Sequence, residues 1–361
     1  MVKEAMELKE ISETIGPIDR GWVEKARNRT AQLVMPTRAL GRLHEIAERL
    51  CAIYETLNPS IRRKAILVMA GDHGVVDEGV SAYPQVITGE MVRTFLKGGA
   101  GINVLARQVD AEVWVVDMGI IPDLAPDLLD KGQRLLIQKI AKGTANFAKG
   151  PAMTCQEAEK AILTGFRIAT DLFQKGIEIL GTGDMGIGNT TPSAAIGTLL
   201  TGRTLAEMVG RGTGVDDEGL LRKREIIRRG IEVNRPKPED GMDVLSKVGG
   251  FEIGGIAGCI LAGAYHRRPV VIDGFISTAG ALVAHAICPH VVDYLFAGHC
   301  SDEPGHIFML EYLGLKPILE LGMRLGEGTG GALAMGIVDG AIRIFRDMLT
   351  FQEAGVTDKQ S

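Results

Sequence analysis

"GTGDMGIGNTTPSAA", residues 181–195, lies between an apolar run, Ile177-Glu178-Ile179-Leu180, and a helix-like run from Ser193 to Leu200. That order reads as strand, glycine turn, helix. Glycines let backbone N–H groups approach an anion with no Cβ in the way. Thr190 and Thr191 add hydroxyl donors, and Pro192 suits a first helical turn. A helix start carries roughly half a positive charge. Two readings follow for Gly183, Gly186, Gly188, Asn189, Thr190 and Thr191. They form a phosphate-binding turn, or a tight strand–helix turn whose glycines serve packing. The literal GxGxxG at Gly181, Gly183 and Gly186 raises a dinucleotide site as well. That fingerprint needs an acid about 20 residues on, at the next strand end. Glu207 falls instead in "TLAEMVGRGTG", which is no strand end.

Outward from this stretch the same rhythm repeats. "KAILVMA" (64–70), "AEVWVVDMG" (111–119), "IEILGTG" (177–183), "RRPVVIDG" (267–274) and "VVDYLFAGH" (291–299) read as strands, most ending beside Asp or His. Helical stretches at 101–109, 155–176, 193–202 and 277–287 separate them. Strands apolar on both sides, alternating with helices, imply an α/β fold. The expected form is a Rossmann-like parallel sheet covered by helices on both faces. Ligands of such sheets bind at the carboxyl ends of the strands. The first sixty residues read as helices, one of them at 37–57 with Thr37 as N-cap. The segment 330–355 reads as one long amphipathic helix, and "VTDKQS" as a frayed end. The expected division is a catalytic domain at 61–305 and a smaller helical domain from 1–60 and 306–361.

Composition narrows the classes. A net charge of −5 offers no basic field for nucleic acid or an anionic membrane. The charged stretch 216–241 reads as a solvated helix and turn. The most apolar window, "GGIAGCILAGAY" (254–265), is too short and too rich in small residues to span a bilayer. "MVKEAMELKEISETIG" lacks the apolar core of a signal peptide. Cys51, Cys155, Cys259, Cys288 and Cys300 show no CxxC spacing, which fits reduced thiols in the cytoplasm.

Three further segments bear chemistry. "GRGTG" (210–214) offers Gly212, Thr213 and Gly214 as a second phosphate loop, or as a helix C-cap and turn. "AGDHGVVDEGVSAYPQ" (70–85) places Asp72 and His73 at a strand end. Two adjacent ligands do not make a metal site, and the other histidines show no HxH or HExxH spacing. A polar loop lining a cleft is the alternative. In "LGMRLGEGTGGALAMG" (321–336), Glu327 stands between glycines just before a helix at about Thr329. There it acts as a general base, or only complements the helix dipole.

Taken together, "AGDHGVVDEGVSAYP", "GGAGINVLARQ", "GTGDMGIGNTTPSAA", "GRGTGVDDEG", "DGFISTAGALVA", "EPGH" and "LGLKPILELGMRLGEGTGGALAM" resemble the nicotinate-nucleotide–dimethylbenzimidazole phosphoribosyltransferase family. The resemblance runs in order from about residue 15 to 348. It implies transfer of ribosyl 5-phosphate from nicotinate mononucleotide to 5,6-dimethylbenzimidazole. The products are α-ribazole 5′-phosphate and nicotinate, with inversion at C1′. It makes Glu327 of LGEGTG the general base. Many members carry Glu before MGIGNTT. Asp184, one methylene shorter, therefore carries over only as a polar or a secondary acid–base group. Asp72, Ser81 and Tyr83 become the expected benzimidazole pocket. No metal and no cofactor is required, and a homodimer is implied. The readings from other classes are a metal-dependent phosphohydrolase using Asp72 and His73, and a non-catalytic nucleotide sensor.

Overall fold

The computed structural model describes residues 7–124 and 134–357. The first six residues of the N-terminal stretch and the last four of "VTDKQS" lie outside the described residues. Among the described residues seven strands form one sheet: β1 (Lys64–Gly71), β2 (Ala111–Gly119), β3 (Leu135–Ile137), β4 (Ile179–Met185), β5 (Val270–Ile272), β6 (Leu295–His299) and β7 (Pro317–Leu319). Every pairing is parallel, in the order β3-β2-β1-β4-β5-β6-β7. The chain steps from β1 through β2 to β3, then crosses back and continues from β4 to β7. The reversal falls between β1 and β4, with Met69 opposite Asp184 and Ala70 opposite Met185. A crevice opens at the carboxyl ends of strands at such a reversal. The glycine turn of residues 186–188 sits there.

Burial explains why these runs form strands. All eight residues of β1 are buried, and after Lys64, which pairs with Asp339, neither side of the strand is polar. Ile66 faces the turn before helix Thr329–Asp347, near Gly328. Met69, on the opposite face by the strand's period of two, meets Gly255 of helix Phe251–Tyr265. Both faces are therefore covered. Helix Phe251–Tyr265 in turn packs on helix Cys155–Gln174. Their backbones touch: a Cβ on Gly165 would overlap the Gly255 carbonyl, and one on Gly258 the Ile162 carbonyl. That close crossing is the use of "GGIAGCILAGAY". Among the described residues no helix is long and apolar enough to cross a membrane.

Some expectations need correction. Three-residue β3 and β7 extend the sheet at its edges, in runs too short to show a period. Pro317 is tolerated because it is the first residue of an edge strand. The helix expected at 37–57 begins at Arg42, and its N-cap is Gly41 rather than Thr37. Arg38 takes a positive φ of 55° and pairs with the buried Glu48 at 2.8 Å, which turns the chain before the helix can start. The tail is two helices, Thr329–Asp347 and Phe351–Ala354. Thr350 separates them: it caps the second through a capping box and bridges Leu33. The sheet also crosses the boundary expected at 305/306. β7 belongs to it, and helix Thr329–Asp347 packs over β4 to β7.

Gly165→Ala tests the backbone crossing. Overpacking there is expected to cost about 2 kcal/mol or more in denaturant unfolding. Gly99→Ala, with no atom within 4 Å of the added carbon, is expected to leave the midpoint nearly unchanged.

Candidate active site

The turn after β4 lies against the end of β1. A Cβ on Gly186 would overlap the Gly71 carbonyl, and the Ile187 N–H donates to Thr88 Oγ1 at 3.1 Å. Gly181 and Gly183 lie inside β4, which runs on to Met185, so the GxGxxG spans strand and turn rather than a nucleotide loop. Gly183 and Gly186 serve close backbone packing, and Gly188 holds a left-handed turn at φ 87°. Helix Thr190–Thr201 follows directly, capped at Asn189, with Pro192 in its first turn. It starts three residues earlier than its pattern suggests. Asn189 donates from Nδ2 to Asp184 Oδ2 at 2.8 Å. Thr191 is fully buried.

The 210–214 loop closes on this turn from the other side. A Cβ on Gly212 would stand 2.7 Å from Thr190 Oγ1. Gly212 donates its N–H to Glu303 at 2.8 Å and accepts from Arg324 at 3.0 Å. Lys223, completely buried, donates to Thr190 Oγ1 at 2.7 Å and to the Gly210 carbonyl at 3.3 Å. Burial brings its ammonium down to about 8, against the pull of Glu303. Thr213 and Gly214 are exposed, and Thr213 Oγ1 lies 3.4 Å from Ser81 Oγ. The two expected phosphate loops thus meet at Thr190 and Gly212, with the 80–88 loop beside them.

Asp72 and His73 point to separate partners. Asp72 accepts the Ile121 N–H at 2.7 Å, and His73 stands 2.9 Å from Glu252. Asp72 is buried, whereas Tyr83 is exposed at the rim. Of the benzimidazole pocket expected from Asp72, Ser81 and Tyr83, the structure buries Asp72 on the Ile121 amide and leaves Ser81 half-buried and Tyr83 exposed. Among the described residues no group of three His, Cys, Asp or Glu side chains could hold a metal ion.

Glu327 has the least ordinary backbone in the crevice. It is buried and non-glycine at φ 63°, between Gly326 at 83° and Gly328 at 93°. Such a conformation costs about 1–3 kcal/mol and persists only where surroundings enforce it. They do here. A Cβ on Gly183 would overlap the Glu327 carbonyl, so the turn lies directly on β4. Oε2 of Glu327 accepts the Ile102 N–H at 3.1 Å. Burial, aided by Asp273, pushes its carboxyl above the usual range, where the sequence suggests a dipole-stabilised anion. Asp184 is adjacent: a Cβ on Gly326 would stand 3.3 Å from either of its oxygens. Burial first, then the charge of Asp273, drives Asp184 well above the carboxylate range, and the Asn189 bond opposes them.

Pattern reading misses Lys223, Glu303, Asp273, Glu252 and Arg324. For Lys223 a signal existed. It shares the buried helical face of Ile226, Ile227 and Gly230, at spacings of three, four and seven. Asp273 directly follows a buried strand in front of a helix, the usual place for a site carboxylate in this fold. Glu303 and Arg324 lie in irregular segments whose partners are distant in sequence, so spacing carries no signal for them.

The site can be set beside known proteins. A family model described as phosphoribosyltransferase matches residues 15–356. The nicotinate-nucleotide–dimethylbenzimidazole phosphoribosyltransferase of Geotalea uraniireducens is 51% identical over 351 residues, covering 97% of this chain and 98% of that protein. The protein of the same name from Desulforudis audaxviator is 50% identical over 354 residues, covering 98% and 99%. The crystal structure of CobT from Thermus thermophilus superposes with a TM-score of 0.89 at 48% identity, covering 94% of this chain and all of that one. With the family model matched over nearly the whole chain, relatives about half identical over near-complete lengths and one fold in common, the chain belongs to the nicotinate-nucleotide–dimethylbenzimidazole phosphoribosyltransferase family.

Proposed function

We propose that this chain transfers ribosyl 5-phosphate from nicotinate mononucleotide to 5,6-dimethylbenzimidazole, giving α-ribazole 5′-phosphate and nicotinate with inversion at C1′. The observation that carries the reading is the buried Glu327, held on β4 beside the glycine turns at 186–188 and 210–214. The amides of Asn189, Gly212 and Gly214 are already bound, to Gly186, Glu303 and Arg211, so the phosphate is gripped by the remaining backbone and hydroxyl donors of Gly188, Thr190 and Thr213. Lys223 supplies charge through Thr190. Local dipoles and one buried ammonium thus suffice in a chain of net charge −5.

The residue types fit the chemistry. A benzimidazole nitrogen forms the new bond to C1′ as the C1′–pyridinium bond breaks. The bonding pair stays on the nicotinate nitrogen, which leaves neutral and needs no acid. The attacking ring becomes cationic, and its other N–H must lose a proton. Glu327 takes it. Oε2 is anchored on Ile102, which leaves the second oxygen for the ring. Burial makes this carboxylate a better base than one in water, bringing its pKa closer to the working pH. Asp184, whose burial favours the neutral acid, orients Asn189 instead of competing for the proton. Ser81, Tyr83 and the exposed Leu325 beside Gly101 line the ring's approach. A cytoplasmic homodimer remains part of this proposal. The five free thiols fit that compartment, and the family resemblance implies the dimer.

Neither a phosphohydrolase nor a nucleotide sensor has support of this kind. Asp72 accepts the Ile121 N–H, His73 stands beside Glu252, and among the described residues no group of three such side chains could hold a metal ion, while a sensor has no need of a strained, buried glutamate.

Purified protein with both substrates is expected to yield α-ribazole 5′-phosphate, identified by mass and anomeric configuration. Glu327→Gln is expected to reduce kcat by about 10²- to 10⁴-fold with the fold intact. Wild-type turnover in that variant would remove Glu327 from the mechanism. The raised carboxyl gives a sign for pH. The base must be ionised, so kcat falls as pH drops through its pKa, and the acid limb should stand above the ordinary glutamate value of about 4.3. Lys223→Met is expected to raise KM for nicotinate mononucleotide roughly ten- to a hundredfold, with a smaller effect on kcat.

A further inference from the structure

One side chain holds the turn 326–331 in place and takes no proton in the chemistry above. Asp273, fully buried, follows β5. Its Oδ2 accepts the Gly328 N–H at 3.1 Å, and its Oδ1 accepts the Gly330 and Gly331 N–H groups at 2.7 and 3.0 Å. These amides open helix Thr329–Asp347, and such first-turn donors have no partner inside their own helix. A capping side chain ordinarily takes one of them. Here the N-cap is Gly328, which has none. A carboxylate from a different strand does the capping instead. His299 backs it, with Nε2 at 3.7 Å from Asp273 Oδ1 and its ring against Gly330. His306 lies behind His299, fixed by the Ser301 N–H at 2.7 Å and by Thr278 Oγ1 at 2.8 Å.

The residue just before these amides is Glu327, in its left-handed conformation. We propose that Asp273 is a positioning residue for the reaction: by binding the three amides after Glu327, it fixes the turn that presents the base to the crevice. The inference rests on the reading of Glu327 as the base. Without the clamp the amides are left unpaired in a buried site, and the turn relaxes toward a negative φ. The carboxylate then leaves the position that Ile102 and Gly183 define. A displacement of about 1 Å costs on the order of 10²-fold in rate. The hydrogen bonds of Asp273 go to the turn after Glu327 and not to the proposed phosphate-binding turns, so substrate binding should be spared.

Four proteins decide it: wild type, Glu327→Gln, Asp273→Asn and the double variant, each assayed with nicotinate mononucleotide and dimethylbenzimidazole. Asparagine keeps the shape and one acceptor, but turns an NH₂ group toward the Gly328 N–H. Asp273→Asn is expected to lower kcat roughly 10²-fold. KM for the mononucleotide is expected to stay within about threefold of wild type. In the double variant the loss is expected to stay within about threefold of Glu327→Gln alone, because the base is already gone. An unchanged kcat in Asp273→Asn, or losses that multiply in the double variant, would overturn the proposal. Wild-type turnover in Glu327→Gln would remove the base reading and this inference with it. A slow Glu327→Gln beside an unaffected Asp273→Asn would remove the inference alone. If circular dichroism finds Asp273→Asn unfolded, Asp273→Glu carries the same test. It keeps the charge and both acceptors while pushing on the turn, so a loss confined to kcat is expected and wild-type kcat would contradict the clamp.

Discussion

The peptide between Glu327 and Gly328 lies on the backbone of Gly183, in the space where any side chain would put its first carbon. Much of the site follows from that contact. It brings a turn from the C-terminal part of the chain onto the middle of the sheet, at the strand pair where the winding reverses. The turn reaches this place only with glutamate in a left-handed conformation flanked by glycines, and with its amides bound by Asp273. Helix Thr329–Asp347 starts from there and covers β4 to β7. One backbone contact thus links the placement of the base to the packing of half the sheet.

The crevice gathers Asp184, Glu252, Asp273 and Glu327, yet the proposed substrate carries a phosphate. The conflict is smaller than the count of acids suggests. Burial raises the carboxyls of Asp184, Asp273 and Glu327, the charge of Asp273 adds to this at Asp184 and Glu327, His299 and three amides oppose it at Asp273, and Glu252 faces His73. The proposed phosphate loops follow the β4 turn, where Lys223 and helix Thr190–Thr201 offer the opposite sign. On the proposed function, the proton-accepting and anion-binding ends are thereby separated along a single turn.

The sheet was legible in the sequence because its central strands are continuous apolar runs closed by glycine. The edge strands were not, since three residues show no period. The breaks at Gly41 and Thr350 escaped for another reason. Each is set by a contact outside its own segment: the Arg38–Glu48 pair, and the bridge from Thr350 to Leu33. The two glycine loops and Glu327 were visible as motifs, although composition alone left a packing reading open for each. The geometry divides the labour among the glycines: Gly183 and Gly186 allow close backbone contact, while Gly188 and Gly212 turn the chain. Lys223 was hidden in a charged run that is otherwise mostly solvated.

The central claim is that a nucleotide's phosphate and an aromatic ring occupy opposite ends of one crevice, with Glu327 at the ring. A crystal structure of the protein with α-ribazole 5′-phosphate tests it most directly. The account predicts the phosphate within hydrogen-bond distance of the backbone and hydroxyl donors of Gly188, Thr190 and Thr213. It predicts a Glu327 oxygen within about 2.6–3.2 Å of the benzimidazole nitrogen not bonded to ribose. A phosphate bound away from both loops, or a ring out of reach of Glu327, would contradict it.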